Sequence, residues 1–203
     1  QQQAVDELKQ YLWAGTETTA LTLAWSLYET SRNPAAAERI RREGEAVYGD
    51  REPTAADYSA LAYTRAVIQE TMRLYPPIWG LIRVAAAADT IGEARIEPGD
   101  KVMMYAYGAH HNAKYWEDPE KFDPERWIGE RAKGRVKYSY LPFGAGKRSC
   151  PGGAMSQVEN TLALSMLLRR FRPEYVGTVP APIHATVTLT PKGGLTFRVR
   201  ELS

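Results

Sequence analysis

A chain of 203 residues fits one domain with a substantial core, or one domain and part of a second. Its 26 basic and 24 acidic residues almost cancel, to +2, and no cationic cluster is interleaved with stacking aromatics, which argues against a nucleic-acid binder. The single cysteine excludes an internal disulfide and a multi-cysteine zinc or iron–sulfur centre.

The opening QQQAVDELKQ carries no Met, no basic leader and no long apolar core, so residue 1 reads as a cut point inside a longer protein. Cytoplasmic residence is the expectation from cysteine usage, with anchoring through a preceding segment left open. Over residues 4–32, Val5, Leu8, Leu12, Ala20, Leu23, Ala24, Leu27 and Tyr28 recur at helical spacing, and Asn33-Pro34 stops the run. In its middle, Ala14-Gly15-Thr16-Glu17-Thr18-Thr19 places a glycine and three threonines where propensity favours Ala or Leu. Threonine hydroxyls there can bond back to carbonyls one turn earlier and loosen the ladder.

Pro34 opens a second helix to about Tyr48, with Ala36, Ile40 and Val47 inward and Glu38, Arg39, Arg41, Arg42, Glu43 and Glu45 on a solvated face. A third helix over residues 62–75 ends at Pro76-Pro77 and carries Glu70 and Arg73 three apart, on one face. Residues 78–105 turn strand-like, with turns at Ile91-Gly92-Glu93 and Glu97-Pro98-Gly99-Asp100, and Arg83 opens the first strand. Residues 112–137, including YWEDPEKFDPERW, are rich in Pro, Asp and aromatics without periodicity and predict a packed irregular loop. A helix follows over residues 152–171, closed by Arg169-Arg170. In the tail, Val187–Thr190 and Leu195–Val199 flank Pro191-Lys192-Gly193-Gly194 and read as a β-hairpin.

The only cysteine stands in residues 138–153, YSYLPFGAGKRSCPGG. Pro142, Gly144 and Gly146 let the backbone turn tightly, and the following helix presents its positive end, which suits a thiolate. A lone cysteine is more often a small buried hydrophobe, so residue type alone leaves both readings open. The pattern Phe143-Gly144-x-Gly146-x-Arg148-x-Cys150-x-Gly152 resembles, position for position, the cysteine-ligand loop of the heme-thiolate cytochromes P-450. AGTETT, the Glu70-x-x-Arg73 helix in VIQETMRLYPP, and Pro124-Glu125-Arg126-Trp127 are similar to further landmarks of that family, in its order. Trp79-x-x-x-Arg83 and Trp127-x-x-x-Arg131 mimic another family motif by coincidence, because that motif belongs to a more upstream helix. Met155 and Ser156 replace the Phe and Ala usual after the ligand.

The resemblance covers the family's carboxyl-terminal half and implies a mainly α fold with small β-sheets, a single partial domain over residues 1–203. It implies heme b, iron protoporphyrin IX, held by Cys150 as axial ligand and by Phe143, Gly144, Gly146, Arg148, Gly152, Arg83 and Ala14. Glu17 and Thr18 would be the acid–alcohol pair that supplies protons. Glu70, Arg73 and Arg126 would form a supporting network. Ile78, Trp79, Leu81, Ile82 and His184 would touch an apolar substrate undergoing hydroxylation or epoxidation by dioxygen, with electrons from a ferredoxin or a flavin-containing reductase. Arg131, Lys133, Arg135, Lys137 and Lys147 would form the basic docking patch. The alternatives are a peroxide-using peroxygenase and a half-domain that only associates with a partner, and residues 1–203 alone are not expected to run the reaction.

Overall fold

A computed structural model describes residues 2–202. Five helices dominate: α1 (Gln2–Arg32), α2 (Pro34–Tyr48), α3 (Ala62–Leu74), the short α4 (Ala106–His110) and α5 (Gly153–Arg170). Eight short strands form four two-stranded antiparallel sheets, pairing β1 (Leu81–Val84) with β4 (Lys101–Met104) and β2 (Asp89–Ile91) with β3 (Ala94–Ile96). The other two pair β5 (Phe171–Tyr175) with β8 (Phe197–Glu201) and β6 (Ile183–Ala185) with β7 (Leu189–Pro191). Among the described residues no helix is long and apolar enough to cross a membrane.

The principal core forms where α2, α3 and α5 turn their apolar stripes together: Ala36 and Ile40, then Tyr63, Val67, Ile68 and Met72, then Leu164 and Leu168. Glu43, expected on the solvated face of α2, instead accepts hydrogen bonds from the backbone N–H groups of Tyr63 at 2.6 Å and Thr64 at 2.8 Å. It thereby satisfies donors that the first turn of α3 leaves without intrahelical partners, which no periodicity within α2 could announce. A second, aromatic core forms on the far half of α1. Trp25 stacks on Tyr75 with centroids 4.1 Å apart, and Tyr28 meets Tyr175 edge-to-face at 5.0 Å.

The tail departs from the expected pairing. A hairpin is present, but its first strand is β6, upstream of the anticipated Val187, and the turn falls at residues 186–188. Leu195–Val199 does not return onto it; β8 runs antiparallel to β5, with Phe197 opposite Tyr175. Burial decides this, because pairing with β5 brings Phe197 within 5.8 Å of the Tyr175 ring, against the aromatic core.

The helix α1 is continuous through its threonine-rich segment. Thr16 Oγ1 donates to the Leu12 carbonyl at 2.6 Å and Thr18 Oγ1 to the Ala14 carbonyl at 2.7 Å, so the hydroxyls bond back as their spacing predicts. The first half of the apolar stripe is not buried among the described residues: Val5, Leu8, Tyr11, Leu12 and Trp13 are all exposed.

Candidate active site

The stretch before Cys150 is built on left-handed backbone. Gly144 has φ +69° and Gly146 φ +75°, conformations that cost an L side chain about 1 kcal/mol or more. At Gly144 space matters too, since a Cβ would stand 3.1 Å from Leu81 Cδ1 on β1. The Phe143 carbonyl accepts the Cys150 backbone N–H at 2.9 Å and closes the loop, while a Cβ on Gly153 would press on the Phe143 ring at 3.2 Å. Cys150 thus sits three residues before α5 begins, and Gly152 faces its sulfur, where a Cβ would fall 3.9 Å from Sγ.

Cys150 is exposed, contrary to the usual habit of a free cysteine. Close to its loop lies an apolar cavity of about 250 Å³ lined by Leu81, Met104, Ala106, Tyr138, Leu141, Gly144 and Ala145. Arg83 and Arg148 are also exposed, and among the described residues neither meets a carboxylate; Arg83 Nη1 donates only to the Ile82 carbonyl, at 3.0 Å. No group of three or more His, Cys, Asp or Glu side chains that could hold a metal ion occurs among the described residues. One soft sulfur donor, two uncommitted guanidiniums and an apolar cavity fit heme, whose iron takes an axial thiolate and whose propionates need cations.

The pair at the centre of the network behind this loop is fully buried. Glu70 and Arg73 are both completely inaccessible, with Arg73 Nε and Nη2 donating to the two carboxylate oxygens at 2.9 and 2.8 Å. Arg126 Nε reaches Glu70 Oε1 at 3.3 Å. Two members were not anticipated: Trp127 Nε1 donates to Glu70 Oε2 at 2.9 Å, and the Asp123 N–H to Oε1 at 3.0 Å. Arg73 uses its remaining donors on the carbonyls of His110, Pro119 and Lys121, so a side chain of α3 gathers the irregular segment around itself.

On α1, Ala14 and Glu17 are exposed and Thr18 half-buried. Glu17 Oε1 accepts from Thr188 Oγ1 at 2.7 Å, and Thr188, in the hairpin turn, is a contact that sequence spacing could not reveal. The same turn accepts Trp79 Nε1 at the Thr186 carbonyl, 2.8 Å away. The structure therefore brings Trp79 and Glu17 to one turn. Ile78 is half-buried, Leu81 lines the cavity, and Ile82 and His184 are exposed, the latter opposite Thr190 in the β6–β7 register.

The basic patch is smaller than its sequence suggests. Arg131 pairs with Asp123 at 2.8 Å; burial would raise the Asp123 carboxyl, but this partner outweighs it and holds the group below its ordinary value. Lys133 pairs with Glu130 at 2.6 Å. Arg135 is half-buried with its guanidinium 3.9 Å from the Trp127 ring, where desolvation lowers its pKa. Among the described residues, only Lys137 and Lys147 of the five lack a partner of opposite charge or a buried seat.

Residues 2–197 match the family model described as Cytochrome P450. Over 170 residues the chain is 39% identical to a cyclooctat-9-en-7-ol 5-monooxygenase of Streptomyces melanosporofaciens, covering 84% of this chain and 37% of that protein. It is 37% identical over 191 residues to the LUTEIN DEFICIENT 5 protein, chloroplastic, of Arabidopsis thaliana, covering 89% of this chain and 32% of that one. The crystal structure of the heme domain of cytochrome P450DA superposes with a TM-score of 0.88 at 28% identity, over 96% of this chain and 43% of that chain. The chain spans well under half the length of each of these proteins.

Proposed function

This chain belongs to the cytochrome P450 family, and on that premise we propose that it carries the thiolate ligand and the proton-delivering residues of a heme-dependent monooxygenase acting on an apolar substrate. The observation that carries the reading is the exposed Cys150, three residues ahead of α5, in a loop whose Gly144 and Ala145 line an apolar cavity. Heme bound there would supply dioxygen activation, since thiolate ligation pushes electron density onto iron. Phe143, Gly144, Gly146 and Gly152 shape the loop; Arg83 and Arg148 would neutralise the propionates of a bound heme, and Ala14 would border it. Glu70, Arg73 and Arg126 hold the supporting framework and touch no substrate.

Protons are the chain's own contribution. Glu17 stands open to solvent, while the Thr18 hydroxyl, which donates its own hydrogen to the Ala14 carbonyl, keeps lone pairs free to accept a hydrogen bond from a proton donor. A peroxide-driven reaction needs no such relay, so the intact pair favours the dioxygen reading over a peroxygenase. Ile78, Trp79, Leu81, Ile82 and His184 are proposed to meet the substrate. The exposed stripe of α1, Val5, Leu8 and Leu12, would be covered by the part of the domain that the relatives carry beyond the matched region, and activity is proposed to require that part.

Thr18→Ala tests this reading. Heme and substrate affinity should hold, because only one half-buried hydroxyl is lost, while product per reduced nicotinamide consumed should fall about tenfold or more and peroxide rise. Unchanged coupling would remove Thr18 from proton delivery.

Electrons are proposed to come from an acidic ferredoxin or a flavin-containing reductase docking near Lys137 and Lys147. Reversing both charges should slow electron transfer about tenfold at low salt, and the difference should shrink towards 1 M salt, where screening falls to about 3 Å. A rate indifferent to both changes would dispose of the patch.

A further inference from the structure

His110, the last residue of α4, is completely buried and touches both the Glu70–Arg73 network and the cysteine loop. Its carbonyl accepts from Arg73 Nη1 at 2.9 Å. Its Nε2 lies 2.8 Å from the Leu141 backbone nitrogen, whose N–H points at it. Leu141 begins the turn that ends in Gly144, the Gly144 N–H returning to the Leu141 carbonyl at 3.2 Å, and the next bond in the loop is Cys150 N–H to the Phe143 carbonyl. The neighbouring Tyr140 ring stands 5.2 Å from the imidazole, and its hydroxyl donates to the Gln69 carbonyl on α3 at 3.1 Å. One unbroken series of hydrogen bonds and short backbone links thus runs from the buried arginine to the cysteine.

The chemistry of the Leu141 contact fixes the state of the ring. A backbone N–H can be accepted only by an unprotonated Nε2, so the imidazole is neutral and carries its proton on Nδ1. Desolvation by burial is the first cause that pushes its pKa down to about 4, and the Arg73 guanidinium and His111 act in the same direction, while backbone hydrogen bonding oppose them only in part. Nδ1 itself is buried near the backbone of Met72 and Arg73, without a hydrogen bond of full geometry among the described residues.

We propose that His110 is a positioning residue for Cys150: by accepting the Leu141 N–H, its Nε2 ties the start of the cysteine loop to the Glu70–Arg73 network and so fixes where the sulfur points. This rests on Cys150 being the heme ligand. Two variants separate acceptor from bulk. His110→Phe keeps a ring of similar size and leaves the Leu141 N–H unpaired, whereas His110→Gln restores a side-chain oxygen at about the reach of Nε2.

In the heme-loaded full-length protein, H110F should keep its helical content and heme stoichiometry but lose most of the long-wavelength carbon monoxide band of thiolate-ligated ferrous heme. H110Q should retain that band. Amide hydrogen exchange at Leu141 should be about tenfold or more faster in H110F than in the unmodified protein, the loss of one hydrogen bond's protection. An H110F protein with the full thiolate band, or with unchanged exchange at Leu141, would overturn the proposal. If H110F does not fold, H110Q decides: loss of the band in a folded H110Q protein overturns it, and retention supports it. An unmodified protein that lacks the thiolate band would instead refute the ligand assignment, and this proposal with it.

Discussion

Glu70→Ala is expected to unfold or severely loosen the protein although Glu70 is proposed to touch neither heme nor substrate. Among the described residues its carboxylate is the sole anion bonded to the buried guanidinium of Arg73, and it also receives Arg126, the Trp127 indole N–H and the Asp123 N–H. Truncation leaves a fully buried cation uncompensated, which costs about 3–5 kcal/mol. Each orphaned neutral donor adds about 1–3 kcal/mol. Against a domain stability of about 5–15 kcal/mol, losses of this size threaten the folded state. The expected result is a melting temperature at least about 10 °C lower, from about 2–4 °C per kcal/mol in a chain of this length, together with loss of bound heme. A Glu70→Ala protein within about 1 kcal/mol of the parent in urea unfolding would contradict the weight given to this network.

Cys150→Ser should do the opposite, leaving the fold and removing the chemistry. Cys150 is exposed, and the bond that closes its loop is made by its backbone N–H, which the substitution keeps. Stability should therefore change by no more than about 0.5 kcal/mol. A serine hydroxyl does not ionise near neutral pH and is a hard donor poorly matched to heme iron. The thiolate band with carbon monoxide should disappear and oxygen insertion fall to background, even where heme remains bound. A Cys150→Ser protein that kept the band would place the axial ligand elsewhere.

These two variants also mark what could be read from residues alone. The pairing of Glu70 with Arg73 follows from three-residue spacing on a helix, and the tight loop before Cys150 follows from its glycines. The convergence of Trp127, Asp123 and His110 on the same cluster does not, because those contacts join segments whose separation carries no period. The overreach of the expected basic patch has the same origin. A run of cations is visible in sequence, but the carboxylates of Asp123 and Glu130 that neutralise Arg131 and Lys133, and the indole that covers Arg135, are found only in three dimensions. In the tail, Pro191-Lys192-Gly193-Gly194 is a sound turn signal, yet it sends the chain to β5, where Phe197 meets the aromatic core, and not back onto β7. Local chemistry dictates the turn, and burial chooses the partner. Thr188 is invisible for a related reason, since a threonine in a turn gives no hint that it will meet a carboxylate on α1.

The reduced-plus-carbon-monoxide difference spectrum of the full-length protein loaded with heme tests the central assignment most directly, because the band position reports the atom opposite carbon monoxide on the iron. With Cys150 as that atom, the spectrum should show the long-wavelength thiolate band, at one heme per chain. A stoichiometric heme complex showing only the short-wavelength band of a neutral axial ligand, under conditions where the protein is folded, would contradict it.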